Sequence, residues 1–119
     1  MKYALLIYYD EAEAESATAD EQAQTMKEYR EFTDSITERG INLGGEALHG
    51  VASATTVRVR SGETTTTDGP FAETKEALGG FYLIDVPDLD AALAVAAELP
   101  GSWYGSVEVR PIVDWSAEG

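Results

Sequence analysis

Asp68-Gly69-Pro70-Phe71-Ala72-Glu73-Thr74-Lys75-Glu76-Ala77-Leu78-Gly79-Gly80-Phe81-Tyr82-Leu83-Ile84-Asp85-Val86 is a turn that runs into an apolar strand. The first four residues are turn chemistry: Asp can bond its own backbone, Gly accepts positive φ and Pro fixes φ. From Leu78 to Val86 large apolar residues fall on both alternating faces, the pattern of a strand covered on both sides. Residues 2–9 repeat it. Tyr3, Leu5, Ile7 and Tyr9 share one face, and Ala4, Leu6 and Tyr8 share the other. Two such strands belong at the centre of a sheet that needs cover twice.

The segments between them fill in the order. Residues 10–19 read as an exposed acidic loop with room for a helical turn. Thr18 and Glu21 have capping-box spacing and start a helix. Its stripe is Met26, Tyr29, Phe32, Thr33 and Ile36, with Arg39 and Gly40 at the stop. Ile41 to Leu48 is a weak strand broken by Gly44-Gly45, a bulge or a place of close backbone approach. Thr55–Arg60, the turn Ser61-Gly62 and Glu63–Thr67 form a hairpin with one wet face. Asp88 caps a helix with apolar positions Leu89, Ala92, Leu93, Ala96 and Leu99, ended by Pro100-Gly101. Val107, Val109 and Val113 mark a last strand, which Pro111 restricts to an edge or a terminus.

The predicted order is strand, helix, strand, hairpin, strand, helix, strand. That is an α+β chain with a ferredoxin-like sheet, and 119 residues fit one domain, 1–119. Two helices can cover one face only. The open face therefore predicts a homodimer, with a second copy as its cover.

Charge narrows the partners. Eight basic residues against 22 acidic ones leave −14, and the basic ones are scattered. Nucleic acid and anionic membranes are excluded as partners, since phosphate binding needs clustered Lys and Arg. The chain has no Cys, which excludes disulfides, thiolate nucleophiles and Cys-based metal sites. The opening Met1–Tyr9 run leads into Asp10-Glu11 with no cleavage pattern, and no segment approaches the roughly 20 apolar residues of a membrane span. A cytoplasmic location is expected. No metal is expected, because His49 is the lone His and nearby carboxylates lack ligand spacing. No cofactor is expected either, as GxGxxG, P-loop and GxSxG patterns are all missing.

The candidate site residues each have a plainer alternative. Histidine is the one side chain suited unaided to proton transfer near neutral pH, which makes His49 a candidate for that role; otherwise it is a loop residue. Asp68 is a candidate base or orienter, or else it caps its own turn. Tyr29 and Glu46 are candidates to line an internal pocket, although Tyr29 also fits plain core packing. Arg58, beside Arg60 on one strand face, can hold a ligand carboxylate or simply offset acidic surface. Glu73 and Lys75 can flank a substrate or form a solvated pair worth little.

From Thr67 to Tyr82 the chain resembles the YCII-related family, and within it the subgroup named for its Asp-Gly-Pro-Phe motif. Met1–Tyr9, Gly44-Gly45-Glu46, Thr55–Arg60, Asp85–Asp90 and Val107–Pro111 are similar to that subgroup too. The resemblance implies a dimeric α/β-barrel on a ferredoxin-like fold. It implies three readings of function. The first is a small dimeric domain with a small-molecule pocket. The second is a proton-transfer enzyme, an isomerase or dehydrochlorinase on substrates like those of aromatic degradation. The third, from gene neighbourhood in the subgroup, is an interaction module of an extracytoplasmic-function sigma factor pathway. Shorter relatives carry a His on the first helix, paired with an Asp. Tyr29 stands at or near that position here, a departure that bears on any His–Asp mechanism.

Overall fold

The computed structural model describes residues 1–118. The chain runs β1 (Lys2–Tyr9), α1 (Glu11–Glu15), α2 (Ala19–Glu38), β2 (Asn42–Ala47), β3 (Thr55–Arg60), β4 (Glu63–Asp68), β5 (Ala77–Asp85), α3 (Leu89–Glu98), α4 (Gly101–Tyr104), β6 (Ser106–Pro111) and α5 (Trp115–Glu118). A 3-10 turn, Val51–Ser53, lies between β2 and β3. Four strands form an antiparallel sheet in the order β2-β5-β1-β6, and β3 and β4 pair separately. This mixed α+β arrangement is consistent with a ferredoxin-like fold. The sheets do not close into a barrel.

The two doubly apolar strands, β1 and β5, take the two central places. Tyr3, Leu5 and Ile7 of β1 and Ile84 of β5 turn one face toward Phe32 and Ile36 of α2 and Ala92, Val95 and Ala96 of α3, forming a single core. The other face carries Leu6 opposite Phe81 and Ala4 opposite Leu83. These side chains and Tyr8 are only half-buried. Both long helices lie across the sheet from them.

Local signals explain the helix ends. Thr18 accepts from the Glu21 N–H at 3.1 Å while the Glu21 carboxylate accepts from the Thr18 N–H at 3.1 Å, which satisfies two donors at the start of α2. At its end Gly40 takes φ +73°. Its N–H reaches the Thr37 carbonyl and the Ile41 N–H reaches the Ile36 carbonyl, the Schellman closure. Asp88 accepts from the Ala91 N–H at 2.9 Å and starts α3.

The helical turn that the acidic stretch leaves room for is the short helix α1, since Asp10 accepts from the Ala12 and Glu13 N–H groups. Several other expectations need correction. Met26 is exposed, so the α2 stripe begins a turn later. In α3 the buried set is Ala92, Val95, Ala96 and then Leu99, while Leu89 and Leu93 face solvent. The two small alanines let the helix sit close to the sheet, which turns Val95 and Leu99 inward. Pro100-Gly101 ends α3 but also opens α4. Val113 lies beyond β6. The hairpin is wet on both faces: Val57 is 59% exposed and Val59 is 56% exposed.

Candidate functional site

A groove of about 610 Å³ opens between α2 and the β2–β5 edge of the sheet. That size suits a small molecule. Tyr29 and Thr33 reach it from α2, Tyr82 and the Gly79-Gly80 pair from β5, Ile7 and Tyr9 from β1, and Asn42 and residues 44–48 from β2.

Glycines make room for these rings. A Cβ at Gly79 would collide with the ring of Tyr9, so Tyr9 packs directly on the β5 backbone. A Cβ at Gly45 would stand 2.5 Å from the Phe81 carbonyl oxygen. Beside it the register of β2 against β5 shifts between Asn42 and Gly44. Gly44 takes φ +133° there, and its N–H donates to the Asn42 side chain at 2.9 Å. The sequence expectation of a bulge or a close approach at Gly44-Gly45 is met by both.

The rings are held in fixed places. The Tyr82 hydroxyl and Thr33 Oγ1 are 2.7 Å apart and share a hydrogen bond. Tyr82 meets Phe32 edge to face, with centroids 5.1 Å apart. Tyr29 is different. Its hydroxyl points toward Gly101, where a Cβ would come within 2.9 Å. Among the described residues it has no hydrogen-bond partner. Burial, and then the neighbouring Tyr82, Tyr9 and Tyr104, push its pKa up to about 12, so at neutral pH it is a proton donor to a hydrogen bond. No Lys, Arg or His lines the groove, and Glu46 is its one charged lining residue.

The sequence candidates divide. Tyr29 and Glu46 both line the groove. Glu46 is exposed and stands opposite Phe81 in the sheet. His49, Asp68, Arg58 and Glu73 do not line it. His49 is exposed just past β2. Next to it, the Glu11 carboxylate approaches Gly50 and accepts from the Val51 N–H at 2.9 Å. Asp68 is exposed at the end of β4, opposite Thr55. The turn after it is held by others. Gly69 takes φ +96°, its N–H reaches the Ala54 carbonyl at 2.7 Å, and its carbonyl accepts from Thr56 Oγ1 at 2.9 Å. Arg58 is exposed on β3, and Glu73 and Lys75 are exposed on the loop before β5.

Sequence reasoning missed Tyr9, Thr33, Asn42 and Tyr82 as lining residues. A signal was present in the glycine pairs. An aromatic strand residue needs a neighbouring strand without a side chain if its ring is to lie flat, and Gly79 supplies that to Tyr9, while Gly80 lets the backbone of β2 come close. Among the described residues no group of three or more His, Asp or Glu side chains is placed to hold a metal ion. No helix is long and apolar enough to cross a membrane.

Two comparisons agree with this architecture. The chain is 43% identical over 115 residues to an uncharacterized protein of Rhizobium meliloti (strain 1021), with 94% of this chain and 92% of that one covered. The family model for the YCII-related domain matches residues 1–116. With every strand, both long helices and the groove inside that match, the chain belongs to the YCII-related family.

Proposed function

We propose that this chain is a cytoplasmic YCII-related domain of the Asp-Gly-Pro-Phe subgroup, dimeric, that binds a neutral small molecule bearing a hydrogen-bond acceptor. The observation that carries the reading is Tyr29, whose hydroxyl has no hydrogen-bond partner among the described residues, in the lining of a groove that no described Lys, Arg or His lines. A carbonyl or lactone oxygen would complete that donor, and the aromatic walls would take a planar ring. An anionic ligand would meet no Lys, Arg or His among the described lining residues.

The dimer reading is supported by the half-buried apolar face of Ala4, Leu6, Tyr8, Phe81 and Leu83. Two such faces packed together would give the barrel that the family resemblance implies. Proton-transfer chemistry has weaker support. Its strongest candidates, His49 and Asp68, do not line the groove, and a phenol held near 12 is a poor base at neutral pH. An interaction with a sigma factor rests on resemblance alone.

Fluorescence or calorimetric titration with coumarin and with its ring-opened acid, 2-hydroxycinnamate, tests the ligand class. Coumarin should bind at least about tenfold tighter, and Tyr29→Phe should lose about tenfold of that affinity. Preference for the carboxylate would overturn the neutral-ligand reading. Failure of both probes to bind would count against the groove as a binding site.

A further inference from the structure

The β3–β4 hairpin is the part of the molecule that the groove does not use. It pairs with no strand of the main sheet, and of its side chains only Thr56 is even half-buried. An isolated two-stranded hairpin is marginally stable in water, and both outer edges of this one are unpaired. Val57 and Val59 share one face with Thr64 and Thr66. Phe71, just past the hairpin in the Asp-Gly-Pro-Phe motif, is 79% exposed. Such an arm is the shape of something made to rest on a second surface.

The dimensions say how much surface is waiting. The radius of gyration is 16.5 Å, where a compact chain of this length would have about 13.5 Å. The accessible surface is 8309 Å², where a folded monomer of 12.8 kDa would expose about 6,300 Å². The difference, roughly 2,000 Å², is within what one protomer hides in an obligate homodimer. The molecule is a slab of 50 × 47 × 18 Å. Its arm lies within that thin layer, so two slabs stacked on their open faces would bring each arm alongside the other copy.

Charge favours the same occupant. Within Thr55–Asp68, Arg58 and Arg60 balance Glu63 and Asp68, so the remainder of the chain carries the whole −14. No carboxylate lies within ion-pair distance of Arg58 or Arg60 among the described residues. A neutral arm with an apolar face and two guanidiniums that pair with no carboxylate among the described residues can approach an acidic body that another acidic body would repel.

We propose that the β3–β4 arm, with Phe71 at its root, is a clasp that lies against the second copy of the chain. This rests on the dimer reading above. It gives the motif residues a role in assembly, where turn geometry alone accounts only for Gly69.

The test compares the full chain with Val57→Glu/Val59→Glu, both sites being far from the core, with circular dichroism as the check on folding. Sedimentation velocity over a dilution series measures the dimer, and amide hydrogen exchange reads residues 55–68. The clasp predicts that arm amides are protected only where dimer is populated, and that the variant dissociates at least about tenfold more readily. A dimer whose arm amides exchange freely, and whose dissociation constant the variant leaves unchanged, overturns the clasp and leaves the dimer reading standing. A monomer at every concentration overturns both. Arm protection in a monomer overturns the clasp as well.

Discussion

Gly101 is small because two side chains occupy the space a Cβ would need. A Cβ there would stand 2.7 Å from Ile7 Cγ2 and 2.9 Å from the Tyr29 hydroxyl. Gly101→Ala should therefore cost about 1–3 kcal/mol, the usual range for overpacking, read from the urea midpoint. Tyr29 itself has a signature in alkali. Its proton is held more tightly in the folded state than in the unfolded one, so its contribution to stability is complete below the ordinary phenol range and is lost as pH rises from about 10 to about 12. Tyr104 is also held up, by its hydrogen bond to Glu28, so Tyr29→Phe should remove one phenol from the late phase of tyrosinate absorbance; a late phase of unchanged amplitude would reject this placement. Tyr29 could be read from the helix stripe, since three- and four-residue spacing identifies a face. Tyr9 and Tyr82 could not, because their membership of the groove depends on which strand lies next to which.

At the scale of elements, the ends were more legible than the faces. Thr18, Glu21 and Asp88 cap where the sequence places caps, because capping is a contact between residues three apart. Thr18→Ala and Asp88→Ala should each cost about 1 kcal/mol in chemical unfolding. The Glu21 carboxyl is held below its ordinary value by the Thr18 backbone bond and then by the Thr18 hydroxyl. Its contribution to the capping box is thus present above the ordinary carboxyl range and is lost as acid protonates it. Helical spacing of the apolar residues predicts an α3 stripe that includes Leu89 and Leu93. Packing chose otherwise: 92, 95, 96 and 99 make the narrower face, and small residues let it approach the sheet. The hairpin shows the same gap in another form. Alternation tells which residues share a face, and it cannot tell whether anything in the same chain covers that face.

For the whole molecule, the central places of β1 and β5 in the sheet β2-β5-β1-β6 were legible from the apolar residues on both of their faces. The same pattern shows that one face remains open, which no single-chain contact can reveal. Leu6→Glu places a charge in the middle of that face, opposite Phe81 and away from the helix layer. It should leave the helical circular dichroism intact and abolish dimer in sedimentation equilibrium; a dimer of unchanged strength would mean that the copies meet elsewhere. The two outer strands set a limit on how copies can meet. β6 closes on Pro111, which has no N–H to offer, and β2 is interrupted at Gly44. Ragged margins of this kind give an incoming strand no continuous ladder to extend. Lateral growth into ribbons or fibrils is discouraged at both rims, even in a molecule with so much apolar surface on show.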